Sequence, residues 1–568
     1  MKKFLSVFLS VVLIFSAVSI GVSAAKPEAD LKFAVASDLH YNVPVEELEG
    51  EIDDEIYWYA NRRAAMEPES SWIIDEFLNQ CAENDDVDFV LISGDIADNG
   101  KSIAQEHYDM AAKFAAFEEK CGKQIYVTVG NHDAGVNCET ELADFKEIYA
   151  DFGYDKALVV SETDCSYTAD LGDKYRLIAL DSTAPDKSTA DGMSAEKIDW
   201  VRVQAQQAKK DGRYPIMMMH HNLLDHMPVQ SIFSQDFIVK FHYSTADLFA
   251  NWGIKLVFSG HEHCSDAATY TSTAGNVIYD FATTSLTMYP LQYRTFKLTD
   301  ETIAYKDETV DKIDTDSLTA YTAGYDENQI ALMNAGLNDY AKGFLKAGIK
   351  YRLGRSLSME KMGIAEDAFY YDLVNVAVGG LNKLLNDPLY GEGGIQQLAA
   401  EYNIDIPDSR YKNGWDVVTE LVAAHYEGEE SFDFSTKEVT IFLRLVALLL
   451  KDDLATVSDE VFFDAANELF AHFGTDSAIT DLTKLATKVF GGVTPAEYFL
   501  IAFVSPLVYN FAVDNDGVND NRGSLPGYGV VSVEQNSYNI LDRIHTTLNN
   551  VMKYITMFLQ IVLKIFIK

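Results

Sequence analysis

The sequence predicts an α/β fold followed by a mostly α-helical C-terminal half. Three observations lead there. Apolar, strand-like runs alternate with helical stretches from about residue 30 to residue 300. Each of five such runs ends in a short polar motif, as strands of open α/β sheets do when they build a site at their carboxyl ends. After about residue 325 the strand-like runs give way to segments of helical length and spacing.

In chain order, Phe33 to Ala36 leads into Asp38-Leu39-His40, and Phe89 to Ile92 into Gly94-Asp95. Ile125 to Val129 leads into Gly130-Asn131-His132-Asp133, Ile216 to Met219 into His220-His221, and Lys255 to Phe258 into Gly260-His261-Glu262-His263. Tyr293 to Leu298 and Ile303 to Tyr305 read as closing strands, with a domain boundary in the polar stretch Lys306 to Asp316. Gln329 to Leu345 and Val439 to Leu450 read as helices. Thr494-Pro495-Ala496-Glu497 is a helix start, with a capping Thr, Pro at the first helical position and Glu three residues after the cap.

The chain has 568 residues, too many for one ordinary domain. Hydrophobic residues make up 48 % of it, enough for a core and an argument against disorder. Lys2 and Lys3, an uncharged run from Phe4 to Ala25 and the small-residue exit Val22-Ser23-Ala24 read as a secretory signal, with an uncleaved anchor as the alternative. The expected division is a signal over 1–24, an α/β domain over 25–310, a helical domain over 326–550 and an apolar helix over 551–568. A net charge of −42 argues against nucleic acid or an anionic membrane as a partner held by bulk electrostatics. Five cysteines, sparse and odd in number, form no disulfide framework. The expected localisation is secreted or extracytoplasmic.

Several segments carry two readings. In the tail, Lys553, Thr556, Gln560, Lys564 and Lys568 make one narrow polar stripe on an otherwise apolar helix, suited to docking on the helical domain or to peripheral membrane contact. Tyr498 to Val513 is uncharged but short of a span, and reads as a core helix. Asp514 to Asp520 has carboxylates spaced to wrap Ca²⁺, but the plainer reading is a solvated acidic turn. Residues 41 to 70, with Arg62 and Arg63, are long for a plain connection and suit a cover over the site. Leu525 to Gly529 has the look of a sorting signal but lacks its Thr. His107 and His226 read as structural histidines.

The five motifs together spell a two-metal site. Asp38 and His40 lie two apart at a strand end and face one way. They hold one ion together with His263. Asp95 is a carboxylate able to bridge. Asn131, His220 and His261 hold the second ion. This mixture of oxygen and imidazole donors suits Fe, Mn or Zn. Two ions about 3.5–4 Å apart share a hydroxide and clamp a phosphoryl group for in-line attack. His132 is placed to protonate the leaving oxygen, and Asp133 to orient His132.

With all five elements in order, residues 30 to 300 resemble the calcineurin-like metallophosphoesterase superfamily, whose pattern is D-x-H, G-D, G-N-H-[DE], a strand ending in His, and G-H-x-H. The resemblance implies a four-layer αββα sandwich with a dinuclear site at the strand ends. It also implies hydrolysis of a small phosphate ester. Within the pair His220-His221 it favours His220, because the family's ligand directly follows the strand. Asp181-Ser182-Thr183 and the run through Trp200 resemble the cyclic-nucleotide and glycerophosphodiester phosphodiesterase branch, which favours a diester over a monoester. Two departures stand out. Asp98 occupies the place where purple acid phosphatases carry Tyr. The helical C-terminal half does not resemble the nucleotide-binding domain of secreted 5′-nucleotidases. A surface binding protein that retains the fold is the alternative from a different class; the complete ligand set argues against it.

Overall fold

A computed structural model describes residues 30–43, 64–184, 187–190, 193–226, 230, 236–321, 327–361, 365–366, 371–428, 432, 436–452 and 518–530. The expected signal, Arg62 and Arg63, the helix start at Thr494, the run Tyr498 to Val513 and the tail Val551 to Lys568 lie outside the described residues.

Fifteen strands are seen among the described residues: β1 (Leu31–Ala36), β2 (Phe89–Ile92), β3 (Gln124–Val127), β4 (Ala157–Val160), β5 (Tyr167–Leu171), β6 (Tyr175–Leu180), β7 (Thr183–Ala184), β8 (Lys187–Ala190), β9 (Tyr214–Met219), β10 (Leu256–Ser259), β11 (Asp266–Thr271), β12 (Val277–Ala282), β13 (Gln292–Leu298), β14 (Thr302–Thr309) and β15 (Arg522–Pro526). They form a six-stranded sheet in the order β15-β14-β13-β1-β2-β3, a seven-stranded sheet in the order β11-β12-β10-β9-β6-β5-β4, and the small pair β7-β8. β1, β2 and β3 run parallel, as do β6, β9, β10 and β12.

Alternation of side chains explains why both sheets are covered on both faces. In β1, Leu31, Phe33 and Val35 enter the core between the sheets, while Ala34 and Ala36 face the helices Ser70–Glu83 and Ala104–Cys121. In β9, Ile216 and Met218 face the inter-sheet core, while Met217 and Met219 face the helices Ala195–Lys210 and His242–Trp252. Phe33, Phe258, Phe281 and Phe296 interlock at the centre with ring centroids 4.8–6.3 Å apart. The layers are thus helix, sheet, sheet, helix. The described part of the C-terminal half is largely helical: Glu327–Ala335 and Leu337–Ser356 part at Gly336, and Tyr371–Asn386, Ile395–Glu401, Gly414–Glu427 and Lys437–Lys451 follow. No helix among the described residues is long and apolar enough to cross a membrane.

Within the stretch 326–550, expected to be helical, one described element is a strand. Arg522–Pro526 is a strand, antiparallel to β14 on the edge of the first sheet. The physical reason is that β14 would otherwise present an unpaired edge. The same segment reaches the second sheet. Tyr528 packs on Tyr214 and Tyr175, accepts the Leu256 backbone N–H and donates to the Pro215 carbonyl. Asp520, the last residue of the acidic turn, accepts the Ala267 backbone N–H at 2.9 Å, and residues 514–517 lie outside the described ones. None of the five cysteines forms a disulfide. Because Tyr528 spans both sheets, Tyr528→Ala is expected to lower stability by about 2 kcal/mol, at the modest end for a half-buried aromatic. Urea denaturation of the metal-stripped protein checks it.

Candidate metal centre

Every motif sits at the carboxyl end of its strand: Asp38 and His40 after β1, Asp95 after β2, Asn131 after β3, His220 directly after Met219 of β9, and His261 and His263 after β10. Sharp turns there aim the side chains. Asp38, His40, Asp95, His261 and His263 all have positive φ, between 42° and 67°. That region is uncommon for residues other than glycine and costs on the order of 1–3 kcal/mol each. The motif glycines have a steric cause. A Cβ on Gly130 would lie 2.1 Å from Asp95 Oδ1, and one on Gly260 would lie 1.8 Å from Ser37 Oγ and 2.3 Å from Asp38 Oδ2.

The two carboxylates are divided in the same way. Asp38 Oδ2 accepts the Ser37 hydroxyl at 2.5 Å and the His261 backbone N–H at 2.9 Å. Asp95 Oδ1 accepts the His132 backbone N–H at 2.7 Å. The remaining oxygens, Asp38 Oδ1 and Asp95 Oδ2, are buried and accept no hydrogen bond. Each faces imidazole nitrogens instead. His263 Nε2 is 3.1 Å from Asp38 Oδ1 and 3.2 Å from His40 Nε2, and His40 Nε2 is 3.9 Å from Asp95 Oδ2. On the other side, His220 Nε2 is 3.2 Å from Asp95 Oδ2, 2.9 Å from Asn131 Oδ1 and 3.1 Å from His261 Nδ1.

These are two donor clusters that share Asp95 Oδ2. Converging lone pairs on buried oxygens and ring nitrogens fit cations better than protons, and atoms bonded at about 2.0–2.2 Å to one ion stand at such separations. The residues present therefore fit two ions: Asp38, His40 and His263 around one, Asn131, His220 and His261 around the other, and Asp95 between them.

The far ring nitrogens are held, which fixes the donor atoms. Asp98 Oδ1 lies 3.1 Å from His40 Nδ1. The Ser93 carbonyl is 3.0 Å from His220 Nδ1, and the Met288 sulfur is 2.9 Å from His263 Nδ1. Burial works to raise the carboxyls of Asp38 and Asp95, yet the surrounding histidines outweigh it and hold both well below the usual range. Burial works to lower His220, but Asp95 and Asp38 outweigh it and push it up to about 9.

His221 stands beside the second cluster: its Nδ1 is 2.9 Å from Ser182 Oγ, its ring packs 4.5 Å from that of His261, and its buried Nε2 has no hydrogen-bond partner, so it offers a further donor next to His220 and His261. His107 spans Tyr149 and the Asp133 carbonyl, and His226 lies between Asp266 and Asp280, both in the structural role expected of them.

His132 lies at the rim, its side chain 30 % exposed and edge-on to the His40 ring, with Nδ1 2.7 Å from the Asp98 carbonyl. The orienting role expected of Asp133 does not hold. The Asp133 carboxylate accepts the backbone N–H groups of Ile96, Ala97 and Gly130 at 2.7–3.0 Å. It fastens the turn after β3 to the turn after β2. Burial and the neighbouring Asp95 charge push it up to about 7. Sequence reasoning missed Asp98 as a supporting residue, noting only that it is not Tyr; its spacing from Asp95 was the available signal.

Residues 31–265 match the family model for calcineurin-like phosphoesterases. This part of the chain belongs to that family. The domain is a phosphoesterase, a hydrolase acting on phosphate esters. Among solved structures the chain is similar to a dimetal phosphatase from Danio rerio, at 12 % identity and a TM-score of 0.37, over 49 % of this chain and 96 % of that one. It is also similar to a purple acid phosphatase from yellow lupin, at 11 % identity and a TM-score of 0.33, over 49 % and 51 %. A third is the NAD nucleotidase of Haemophilus influenzae, at 12 % identity and a TM-score of 0.25, over 49 % and 47 %. No curated protein matches the chain.

Two outcomes follow from the site. Asp98→Asn is expected to weaken metal binding by about 10- to 100-fold through loss of its hold on His40, read by competition with a chromogenic chelator. The raised His220 gives a pH dependence to the metal-free protein. Its stabilising charge is fully present below the ordinary imidazole value of 6.5 and is lost as the pH rises through about 9. Melting of the metal-free protein is therefore expected to fall across that window, and His220→Ala is expected to remove the fall.

Proposed function

We propose that the phosphoesterase domain works as a two-ion hydrolase outside the cytoplasm, with phosphodiesters as the favoured substrates. The observation that carries the two-ion reading is the unbonded Asp95 Oδ2, placed between two clusters of donors that otherwise lack a shared partner. Support for the diester preference comes from the strand end Asp181-Ser182-Thr183, which resembles that of phosphodiesterases; Ser182 here holds His221 beside the second cluster. The apolar run after Lys2 and Lys3 and the net charge of −42 support the extracytoplasmic reading.

Two bound ions of Fe, Mn or Zn would polarise the phosphoryl oxygens and lower the pKa of water to make a nucleophile near neutral pH. The protein does the rest by position. Asp38, His40 and His263 hold one side of the site, Asn131, His220 and His261 the other, and Asp95 spans them. His132, in its protonated form, donates Nδ1–H to the Asp98 carbonyl and carries on Nε2 the proton that the leaving oxygen takes. Asp133 keeps the Asp95 and Asn131 turns in register.

Turnover of bis(p-nitrophenyl) phosphate beside p-nitrophenyl phosphate, with Mn²⁺ supplied, tests this. The diester is expected to be the better substrate. Asp95→Asn is expected to abolish both activities, and His132→Ala to reduce turnover by about 10²- to 10⁴-fold, most for poor leaving groups. A monoester preference would sink the diester reading, and undiminished activity in Asp95→Asn would sink the two-ion reading.

A further inference from the structure

The helix Gly414–Glu427 ends against the turn that follows His263. Ser265, two residues after His263, donates its backbone N–H to the Tyr426 carbonyl at 3.2 Å. Glu427 Oε2 accepts the Tyr289 hydroxyl at 2.6 Å. Tyr289 follows Met288, the residue whose sulfur holds His263 Nδ1. Gly428 closes the helix at φ 73°, and a Cβ there would stand 2.5 Å from the Ser265 carbonyl oxygen, so the approach is close enough to need glycine. Both segments that support His263, its own turn and the Met288-Tyr289 loop, are thus tied to the last residues of one helix.

That helix is itself fixed. Glu420 pairs with Lys342 at 3.2 Å and Lys346 at 2.9 Å on the helix Leu337–Ser356. Ala423 shares a core with Leu337, Ala341 and Leu345 and with the helices that cover the first sheet. The second cluster has a different support: the Ser93 carbonyl holds His220, and the His261 backbone N–H is held by Asp38 Oδ2 at 2.9 Å, both inside the phosphoesterase domain.

We propose that the helical half is a positioning element for the ion site of Asp38, His40 and His263: Glu427 and the Tyr426 carbonyl, acting through Tyr289-Met288 and Ser265, set where His263 presents Nε2. The inference rests on the two-ion reading of the site. Its consequence is selective. Disturbing the helix end weakens one ion site and leaves the other as it was, which a general loss of packing would not do.

The full chain, stripped of metal and titrated with Co²⁺, provides the test, with visible absorption reporting coordination and a chromogenic chelator reporting affinity. Asn131→Ala, which removes a donor found only in the second cluster, assigns the two signals. In Glu427→Ala the site containing His263 is expected to lose about tenfold or more in affinity, with a changed cobalt spectrum, while the second site is unchanged. Glu427→Gln keeps an acceptor for the Tyr289 hydroxyl and is expected to restore the wild-type titration. Unchanged affinities in Glu427→Ala overturn the proposal, as does an equal loss at both sites. If Glu427→Ala does not fold, Tyr289→Phe, which removes a single oxygen, is read by the same criteria. Fewer than two ions on the wild-type chain overturns the two-ion reading and this proposal together, whereas two ions without selective loss overturns this proposal alone.

Discussion

The centre depends on how Asp95 divides its two oxygens. Oδ1 is held by the His132 backbone N–H, and Oδ2 is left between two groups of imidazoles. A side chain free to rotate would satisfy both oxygens with whatever donor came near, and no shared donor would remain. The division is enforced by steric exclusion. Gly130 passes so close to Asp95 Oδ1 that any side chain there would occupy the space of the carboxylate. Gly94, at φ 98°, lets the turn pass close to His220: a Cβ there would stand 2.7 Å from His220 Nδ1. Asp133 then closes the arrangement by taking three backbone N–H groups from the Asp95 and Asn131 turns.

Such a site is strained, and the strain has to be offset by the scaffold. Five of the seven proposed ligands have left-handed backbone. What over-determines them is the pair of parallel strand sets beneath. β1 is in register with β2, and β2 with β3, up to Ala36, Ile92 and Val127, so three turns leave the first sheet side by side. β9 and β10 do the same in the second sheet. Each cluster draws donors from both sheets: Asp38, His40, Asp95 and Asn131 from the first, His220, His261 and His263 from the second. The spacing of the sheets, set by the interlocked phenylalanines between them, therefore sets the spacing of the donors. Ions bound across the sheets would stabilise their packing by mass action.

What could be read from sequence was local. Strand-end motifs are short and directly follow their apolar runs, so Gly-Asn-His-Asp and Gly-His-Glu-His announce themselves, although the atoms that demand their glycines come from other turns, Asp95 for Gly130 and Ser37 and Asp38 for Gly260. The choice between His220 and His221 is not decided by the strand, since both offer donors beside His261. Asp133 was misread because adjacency in sequence says nothing about rotamer: its carboxylate turns under the loop toward Ile96 and Ala97, and the Asp98 carbonyl takes the place it was given beside His132. Asp98 itself was seen only as a missing Tyr. β15 was invisible for another reason. Arg522 to Pro526 includes Gly and Pro, residues depleted in strands, and its strand character exists only because β14 offers an edge. Pairings across more than two hundred residues leave no trace in local propensity.

The chain leaves the phosphoesterase domain after β14, and its segment 518–530 packs on that domain again, so the described helices lie in sequence between two elements of the first sheet. An excursion bounded in this way has a short span between its ends. Asp307 donates its backbone N–H to the Asn521 carbonyl at 2.7 Å, which brings the two crossings together. Beside that junction Ser265 donates to Asp307, and Arg294 lies against both. Ser265 is also the residue that takes the Tyr426 carbonyl from the helical half and stands two positions from His263. The exit, the return and the helix end therefore meet at one buried polar knot behind one side of the site. A helical domain attached by a single flexible linker could move without consequence for the donors. One attached through this knot cannot shift at Tyr426 without moving the turn that carries His263.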